Sequence, residues 1–202
     1  MSAFLGPIHF WLYNKIQIQQ EILEEILSLS YNIIPGLKEG LDTKYGVSET
    51  KPLEEVIDQG NIHGWLQSSI TQVEYKLANC VTYIIKNNPD MLIKIKSIFE
   101  TKGEEKSSLI GTSNAAEAYK VISDCLLDGM PCDHANSVLE ENEEKVIWKR
   151  NTCVHMKYWE EVDGNINIYY SLREAFIKGS LNRTPLVYEK IDEVTNIIRR
   201  FI

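Results

Sequence analysis

The chain has 202 residues, of which 44% are hydrophobic and 25% are charged, as in an ordinary globular protein. Its net charge of −8 and its scattered basic residues do not favour binding to nucleic acids, and no apolar run approaches the roughly 20 residues that span a bilayer. Four cysteines without an apparent secretory signal lead us to expect reduced thiols and a cytoplasmic protein.

Two long helices are predicted in the first half of the chain. Apolar residues at helical spacing indicate one helix from about Pro7 to Ile34 and a second from about Asn61 to Lys86. The connector at 36–59 is rich in Gly and Lys, with one helical turn expected at Pro52–Ile57. A shorter helix should then follow Pro89 and run through Phe99.

The second half begins with a polar stretch at 101–108 that we expect to be mobile, followed by a helix capped by Thr112 or Ser113. The composition then changes, and 137–142 and 145–152 are predicted to form a β-hairpin that turns at Glu143-Glu144.

Helical spacing resumes from about Val154, breaks at Asp163-Gly164 and continues over Ile166–Lys178, where Gly179 should end it. A last amphipathic helix is expected after Pro185. The predicted fold is mainly α (α+β). It comprises a long-helix bundle over residues 1–130 and a hairpin with helices over 131–202, packed as one structural domain.

A short motif occurs at the start of both long helices. The segments GPIHFWLYNKI at 6–16 and GNIHGWLQSSI at 60–70 agree at six of eleven positions, including His9/His63 and Trp11/Trp65. One interpretation is that two related helices pack together and that each His is a core residue. The other places His9 and His63 at one end of two parallel helices, where they could hold a haem, a metal or an anion.

Glu74 lies on the apolar stripe of the second long helix, where a carboxylate is costly unless it is paired or protonated. It is a candidate general base. The alternative is a hydrogen-bonded partner of a tyrosine or an arginine.

Two Cys-x-His motifs flank the predicted hairpin, at Cys132/His134 and Cys153/His155. With a two-residue turn, Leu139 would face Trp148, and the pairing carried outward would put all four donors on one side of the ribbon. Two thiolates and two imidazoles suit zinc or iron, so the sequence predicts a metal site.

Cys153 is also a candidate nucleophile. It falls where a strand meets a helix, and a helix N-terminus favours the thiolate. His155 or His134 would be the base, and Trp148, Tyr158 and Trp159 would line a pocket for a small planar ligand. The remaining interpretation is that these cysteines are small buried hydrophobic residues.

Further aromatic side chains lie close to one guanidinium in the sequence. Tyr169 and Tyr170 precede Arg173 at helical spacing, and Trp159 lies shortly before them. Such a group could clamp an aromatic carboxylate, and its ordinary role would be core packing with a cation–π contact.

The stretch from VLEEN at 138–142 through WKRNTC at 148–153 to REAFIKG at 173–179 resembles the hairpin–Cys–helix section of bacterial thiazoline-carboxylate hydrolase-like proteins. The likeness is one of layout. The closing Cys-containing strand expected of that section is not found, and we carry no site residue across from it.

We therefore expect a small-molecule site that uses the Cys/His cluster, either metal-binding (Zn or Fe) or thiol-dependent and hydrolase-like. The alternatives are a ligand or haem sensor built on His9 and His63, and a helical partner-binding module. The expected partner is a small molecule rather than a nucleic acid or a membrane, and a homo-oligomer is compatible with the sequence.

Overall fold

The computed structural model describes residues 4–31 and 33–201. Its α-helices are α1 (Pro7–Ser30), α2 (Leu37–Tyr45), α3 (Leu53–Val56), α4 (Ile62–Asn87), α5 (Met91–Lys106), α6 (Ala115–Cys125), α7 (Met156–Glu160) and α8 (Ile166–Leu181). Its strands are β1 (Asn136–Glu141), β2 (Lys145–Arg150), β3 (Leu186–Lys190) and β4 (Thr195–Arg200), and a 3₁₀ turn spans Pro131–Asp133. The mainly α fold with a small C-terminal β element is confirmed. None of the helices within the described ranges combines the length and apolarity needed to cross a membrane.

The chain forms two compact units that interleave along the sequence. The first contains residues up to Leu92 together with His155–Ile166, and the second contains Ile93–Val154 together with Asn167 onward.

The first unit is built on α1 and α4, which pack as a parallel pair. The rings of His9 and His63 lie 5.9 Å apart at the start of the two helices, and Gln19 meets Glu74 further along both. Contacts that advance in the same direction along both helices require them to be parallel. α1 ends at Ser30, before the predicted Ile34, and Asn32 lies outside the described residues.

The connector between this pair is more ordered than predicted, because it contains α2 as well as the short α3. The ammonium of the buried Lys76 on α4 donates to Asp42 Oδ1 at 2.6 Å and to Ser48 Oγ at 2.9 Å. A buried cation needs such partners, so α2 and the segment that follows it are fixed against α4.

The second unit contains a four-stranded antiparallel sheet in the order β1-β2-β4-β3. The expectation of a final amphipathic helix after Pro185 is therefore wrong: the segment forms a second hairpin, β3–β4. β4 pairs with β2 over Lys145–Lys149, which joins the two hairpins. Val146 and Ile198 face each other in this pairing and are fully buried.

The first hairpin turns where the sequence predicts, but its register shifts along the ladder. Glu141 pairs with Val146 as expected, whereas Trp148 faces Val138 and not Leu139. The irregularity between Val138 and Glu140 adds a residue to β1, and the ladder ends at Asn136 and Arg150. The pairing therefore does not extend to the two Cys-x-His motifs.

Two glycines let α5 and α8 approach closely within the second unit. A Cβ at Gly103 would fall on the carbonyl oxygen of Phe176, and a Cβ at Gly179 would fall on that of Glu100. Ser180 Oγ donates to Gly103 O at 3.2 Å across the same contact. Gly179 thus lies inside α8 as a packing residue and does not end the helix, and the stretch 101–106, predicted to be mobile, is helical.

We expect Gly179→Ala to lower the free energy of unfolding by about 1–3 kcal/mol, because the new methyl group must push apart two backbones. The matched control is Gly111→Ala in the same unit, where the nearest atom to a new Cβ is 3.9 Å away. Urea unfolding followed by circular dichroism measures both. Equal stability of the two variants would contradict the close α5–α8 contact.

Candidate functional site

A cavity of about 590 Å³ lies within the second unit, between one face of the sheet and helices α6 and α8. Its aromatic and aliphatic walls comprise Tyr119, Ile122, Leu126, Trp148, Ile177 and Tyr188. Its polar lining includes Asp128, Arg150, Tyr170, Arg173, Lys190 and Asn196. Ligand cavities in proteins usually have 300–1,000 Å³, so this volume suits a small organic molecule.

Strand alternation brings the sheet residues of the cavity to one face. Trp148 and Arg150 are two residues apart on β2, and Tyr188 and Lys190 are two residues apart on β3. In the central pairings Asn196 on β4 lies opposite Trp148 on one side and Lys190 on the other. Since side chains at i and i+2 share a face, three strands present these groups together.

Helical spacing supplies the opposite wall. Asn167, Tyr170, Arg173 and Ile177 recur every three or four residues of α8 and so share one face of that helix.

The neighbouring helix α6 is fixed at its start by a capping box. Asn114 Oδ1 accepts from the Glu117 amide at 2.9 Å, and the Glu117 carboxylate accepts from the Asn114 amide at 3.1 Å. The cap is therefore Asn114, and not Thr112 or Ser113 as predicted.

Three aromatic rings form a row along the cavity. The ring of Trp148 lies 5.2 Å from that of Tyr119 and 6.0 Å from that of Tyr188, whose hydroxyl donates to Asn196 Oδ1 at 2.7 Å. Burial raises the pKa of both Tyr119 and Tyr188, and the charge of Glu174 adds to the effect at Tyr188. Both phenols are therefore neutral near pH 7. The rings are tilted by 50° and 35° to one another, so the row is an uncharged aromatic lining on whose individual rings a ligand could stack.

Arg173 is held in place by neighbours that use its charge and donors. Its Nη2 lies 2.9 Å from Asp128 Oδ1 and 3.0 Å from Oδ2, and its Nη1 donates to Leu127 O and to the Tyr169 hydroxyl. Burial opposes its charge, but Asp128 and Tyr169 outweigh that effect and hold the pKa of the guanidinium above its ordinary value. The predicted Arg173 lines the cavity, yet its charge is already balanced.

Arg150 differs from Arg173 in this respect. Its guanidinium stacks 3.9 Å above the ring of Tyr170, and its Nη2 donates to the backbone carbonyl of Glu193 at 3.3 Å. No carboxylate within the described part of the chain lies within ion-pair distance of Arg150. Arg150 is therefore not paired with a carboxylate, although the side chains of Asp192 and Glu193 also line the cavity.

Cys153 touches the cavity wall through Tyr170, whose hydroxyl donates to the sulfur at 3.0 Å. Burial and this hydrogen bond raise the pKa of Tyr170, so that it remains a donor near neutral pH.

Cys132 and His134 are exposed, and His134 has a left-handed backbone with φ of 47°. Among residues 4–31 and 33–201, no group of three or more His, Cys, Asp or Glu side chains is arranged to hold a metal ion. The zinc or iron site stays a prediction, without support from these contacts.

His155 and Glu74, both predicted as catalytic, meet in the first unit. His155 Nδ1 lies 3.1 Å from Glu74 Oε1, which also accepts from Gln19 Nε2 at 3.1 Å. Both side chains are only 1–2% exposed. This burial favours the predicted alternative for Glu74, a hydrogen-bonded residue within the core. Its hydrogen bond comes from Gln19, and His155 contacts the same oxygen without hydrogen-bond geometry.

The predicted juxtaposition of His9 and His63 is present, with their rings tilted by 54°. His63 is exposed and His9 is buried, and His9 Nδ1 accepts from the Gly6 amide at 2.9 Å. Because Nδ1 accepts, the proton of the neutral ring is on Nε2, and Nε2 would have to lose it to bind a metal or a haem iron. This geometry makes His9 a helix-capping residue and disfavours it as a ligand.

Trp159, predicted to bind a ligand with Arg173, is fully buried on α7 in the first unit, and its neighbour Tyr158 meets Tyr75 edge-on with ring centres 4.8 Å apart. Both rings serve the packing of α7 on α4.

Sequence reasoning placed Trp148 beside a pocket but missed Arg150, Tyr119 and Tyr188. The alternation in KVIWKR at 145–150 could have revealed Arg150, since it places that residue on the face of Trp148. Tyr188 could not be found in this way, because its segment was assigned to a helix. Comparison with known proteins adds no further assignment: no family model, curated protein or solved structure matches the chain.

We expect His155→Ala to lower the free energy of unfolding by about 3 kcal/mol, because it removes the ionisable neighbour of a buried carboxylate and leaves Gln19 as its hydrogen-bond donor. The double variant Glu74→Leu/His155→Ala should lose less than the sum of the two single variants. Chemical unfolding of the four proteins gives this coupling. The control is His63→Ala at an exposed imidazole, for which we expect a change within about 0.5 kcal/mol. Additive losses would show that the two side chains are not coupled.

Proposed function

We propose that the C-terminal unit binds a small organic molecule in the cavity between its sheet and helices α6 and α8. The observation that carries the proposal is the cavity itself, with about 590 Å³ of space and three neighbouring aromatic rings in its lining, Tyr119 on α6 and Trp148 and Tyr188 on the sheet. Binding cavities are typically apolar and aromatic with a few polar groups that orient the ligand. Here the hydrogen-bonded Tyr188 and Asn196, together with Arg150, supply those groups.

The aromatic lining favours a planar ligand that stacks on one of its rings. Trp148 and Tyr188 are less than 10% exposed, so their rings are held by packing and cannot turn freely. A rigid aromatic row offers stacking area at little entropic cost, since its side chains are already ordered before a ligand arrives. A flat, mono- or bicyclic molecule would use that area best.

We expect 2-naphthoate and neutral aromatic fragments to give ligand-observed NMR signals with the native protein. Ser123 lines the cavity, and Ser123→Trp should fill part of the space and weaken this binding at least tenfold. Ser108→Trp adds the same ring at an exposed position and should bind the fragments as the native chain does. An unfolding midpoint close to that of the native protein shows that each variant is folded. Undiminished binding to a folded Ser123→Trp variant would contradict the proposal.

A second candidate function is thiol chemistry at Cys153, as the sequence analysis predicts. The observation that favours it is the bond from Tyr170 to Cys153 Sγ, which puts the sulfur one residue away from the cavity. Tyr170 would stabilise a thiolate by donating to it.

This candidate predicts that Cys153 reacts with iodoacetamide faster than the exposed Cys132, which is the surface reference in the same molecule. Cys80 is fully buried, and burial raises the pKa of its thiol well above the ordinary value, so it should remain unlabelled. Peptide mass spectrometry over time gives the three rates. Slower labelling of Cys153 than of Cys132 would remove the thiol-dependent function and leave ligand binding as proposed.

A further inference from the structure

We infer that the ligand is an aromatic carboxylate and that Arg150 is its anchor. The inference rests on the proposed function, because it names the class of molecule that the same cavity would take. It differs from the sequence-based expectation, in which Arg173 was to clamp the carboxylate.

The charges of the cavity distinguish its cations from one another. Arg173 is paired with Asp128, and Lys190 is paired with Glu174 at 3.2 Å. The Asp192 carboxylate accepts the amides of Val194 and Thr195 at 2.8 and 2.7 Å, so it closes its own turn. The Glu193 side chain also lines the cavity, but none of the described carboxylates lies within ion-pair distance of Arg150, so a ligand carboxylate could pair with it directly.

The orientation of Arg150 suits a carboxylate. One face of its guanidinium is covered by the Tyr170 ring, and one Nη2 donor reaches the Glu193 carbonyl. Stacking on a ring leaves the edge of the guanidinium available, and that edge matches the two oxygens of a carboxylate. The Tyr170 hydroxyl donates to Cys153 Sγ, and Arg150 donates to the Glu193 carbonyl. Each member of the stacked pair is therefore fixed by a hydrogen bond of its own.

Arg150 and the aromatic row are close enough to act on one molecule. Trp148 and Arg150 project from the same face of β2 two residues apart, a spacing of about 6–7 Å along a strand. An aromatic ring stacked on the row would therefore have its carboxylate, directly attached, within reach of the guanidinium. A neutral molecule of the same shape would not form an ion pair with Arg150.

The test compares 2-naphthoate with 2-naphthamide, which has nearly the same shape and no charge, by isothermal titration calorimetry on the full chain. We expect the carboxylate to bind at least tenfold more tightly, with a preference that falls as salt is added. Arg150→Gln should abolish the preference while the affinity for the amide stays within about twofold, and Arg150→Lys should retain part of it.

Equal binding of the two probes to the native protein would overturn the inference and leave the proposed cavity function standing. Tighter binding of the cation 2-naphthylmethylammonium, or an unchanged preference in Arg150→Gln, would also overturn it. If neither probe binds and the neutral fragments give no NMR signal, the proposed function itself fails. Retained affinity of Arg150→Gln for the amide is the internal control for its folding.

Discussion

The pairing of β2 with β4 is the contact on which the architecture of the second unit depends. It joins two hairpins that lie far apart in the sequence, and it sets Val146 against Ile198 in the core. The same register puts Asn196 between Trp148 and Lys190. Without this pairing each hairpin would be an isolated two-stranded element, which is marginally stable in water, and the cavity would have no floor.

The cavity also depends on how α8 is placed. Small residues on α5 and α8 permit a backbone contact that a larger side chain would prevent, and Ser180 adds a hydrogen bond to it. With that helix fixed, the side chains that recur every three or four residues along α8 line the cavity opposite the sheet. These are Asn167, Tyr170, Arg173 and Ile177. Local alternation in the strands and a close helix crossing together determine which side chains meet.

Much of this fold could be predicted from the sequence because it has strong local periodicity. The long helices and the first hairpin were found in this way, and the repeated motif indicated that α1 and α4 are related. The segment after Pro185 could not be assigned, since Leu186, Ile191, Val194 and Ile198 fit a helical spacing as well as two short strands. The partner strand β2, distant in sequence, decides between the two, and periodicity carries no information about it.

The pairing that would gather the predicted Cys/His cluster is not formed, for a related reason. Its geometry required the hairpin ladder to continue without irregularity, whereas an extra residue in β1 shifts the register and the ladder ends before either motif. His155 then contacts Glu74 in the first unit, while Cys153 belongs to the second. A spacing of two residues therefore does not imply a shared environment when a unit boundary falls between them.

The repeated Gly-x-x-His motif shows that the same residue types can have different structural roles in two copies of one motif. In the first, the Gly6 amide donates to His9 and the imidazole caps α1. In the second, the Gly60 amide donates to Asp58, and Asn61 caps α4 by accepting from Gly64. Since Asn61 already performs the capping, His63 is released to the surface. Two histidines at equivalent positions thus come together with different hydrogen-bonding roles, because only one of them is needed to satisfy its helix. The distribution of hydrogen-bond partners, and not the presence of the residue type, decides which side chains remain available for a ligand, and the same reasoning separates Arg150 from Arg173.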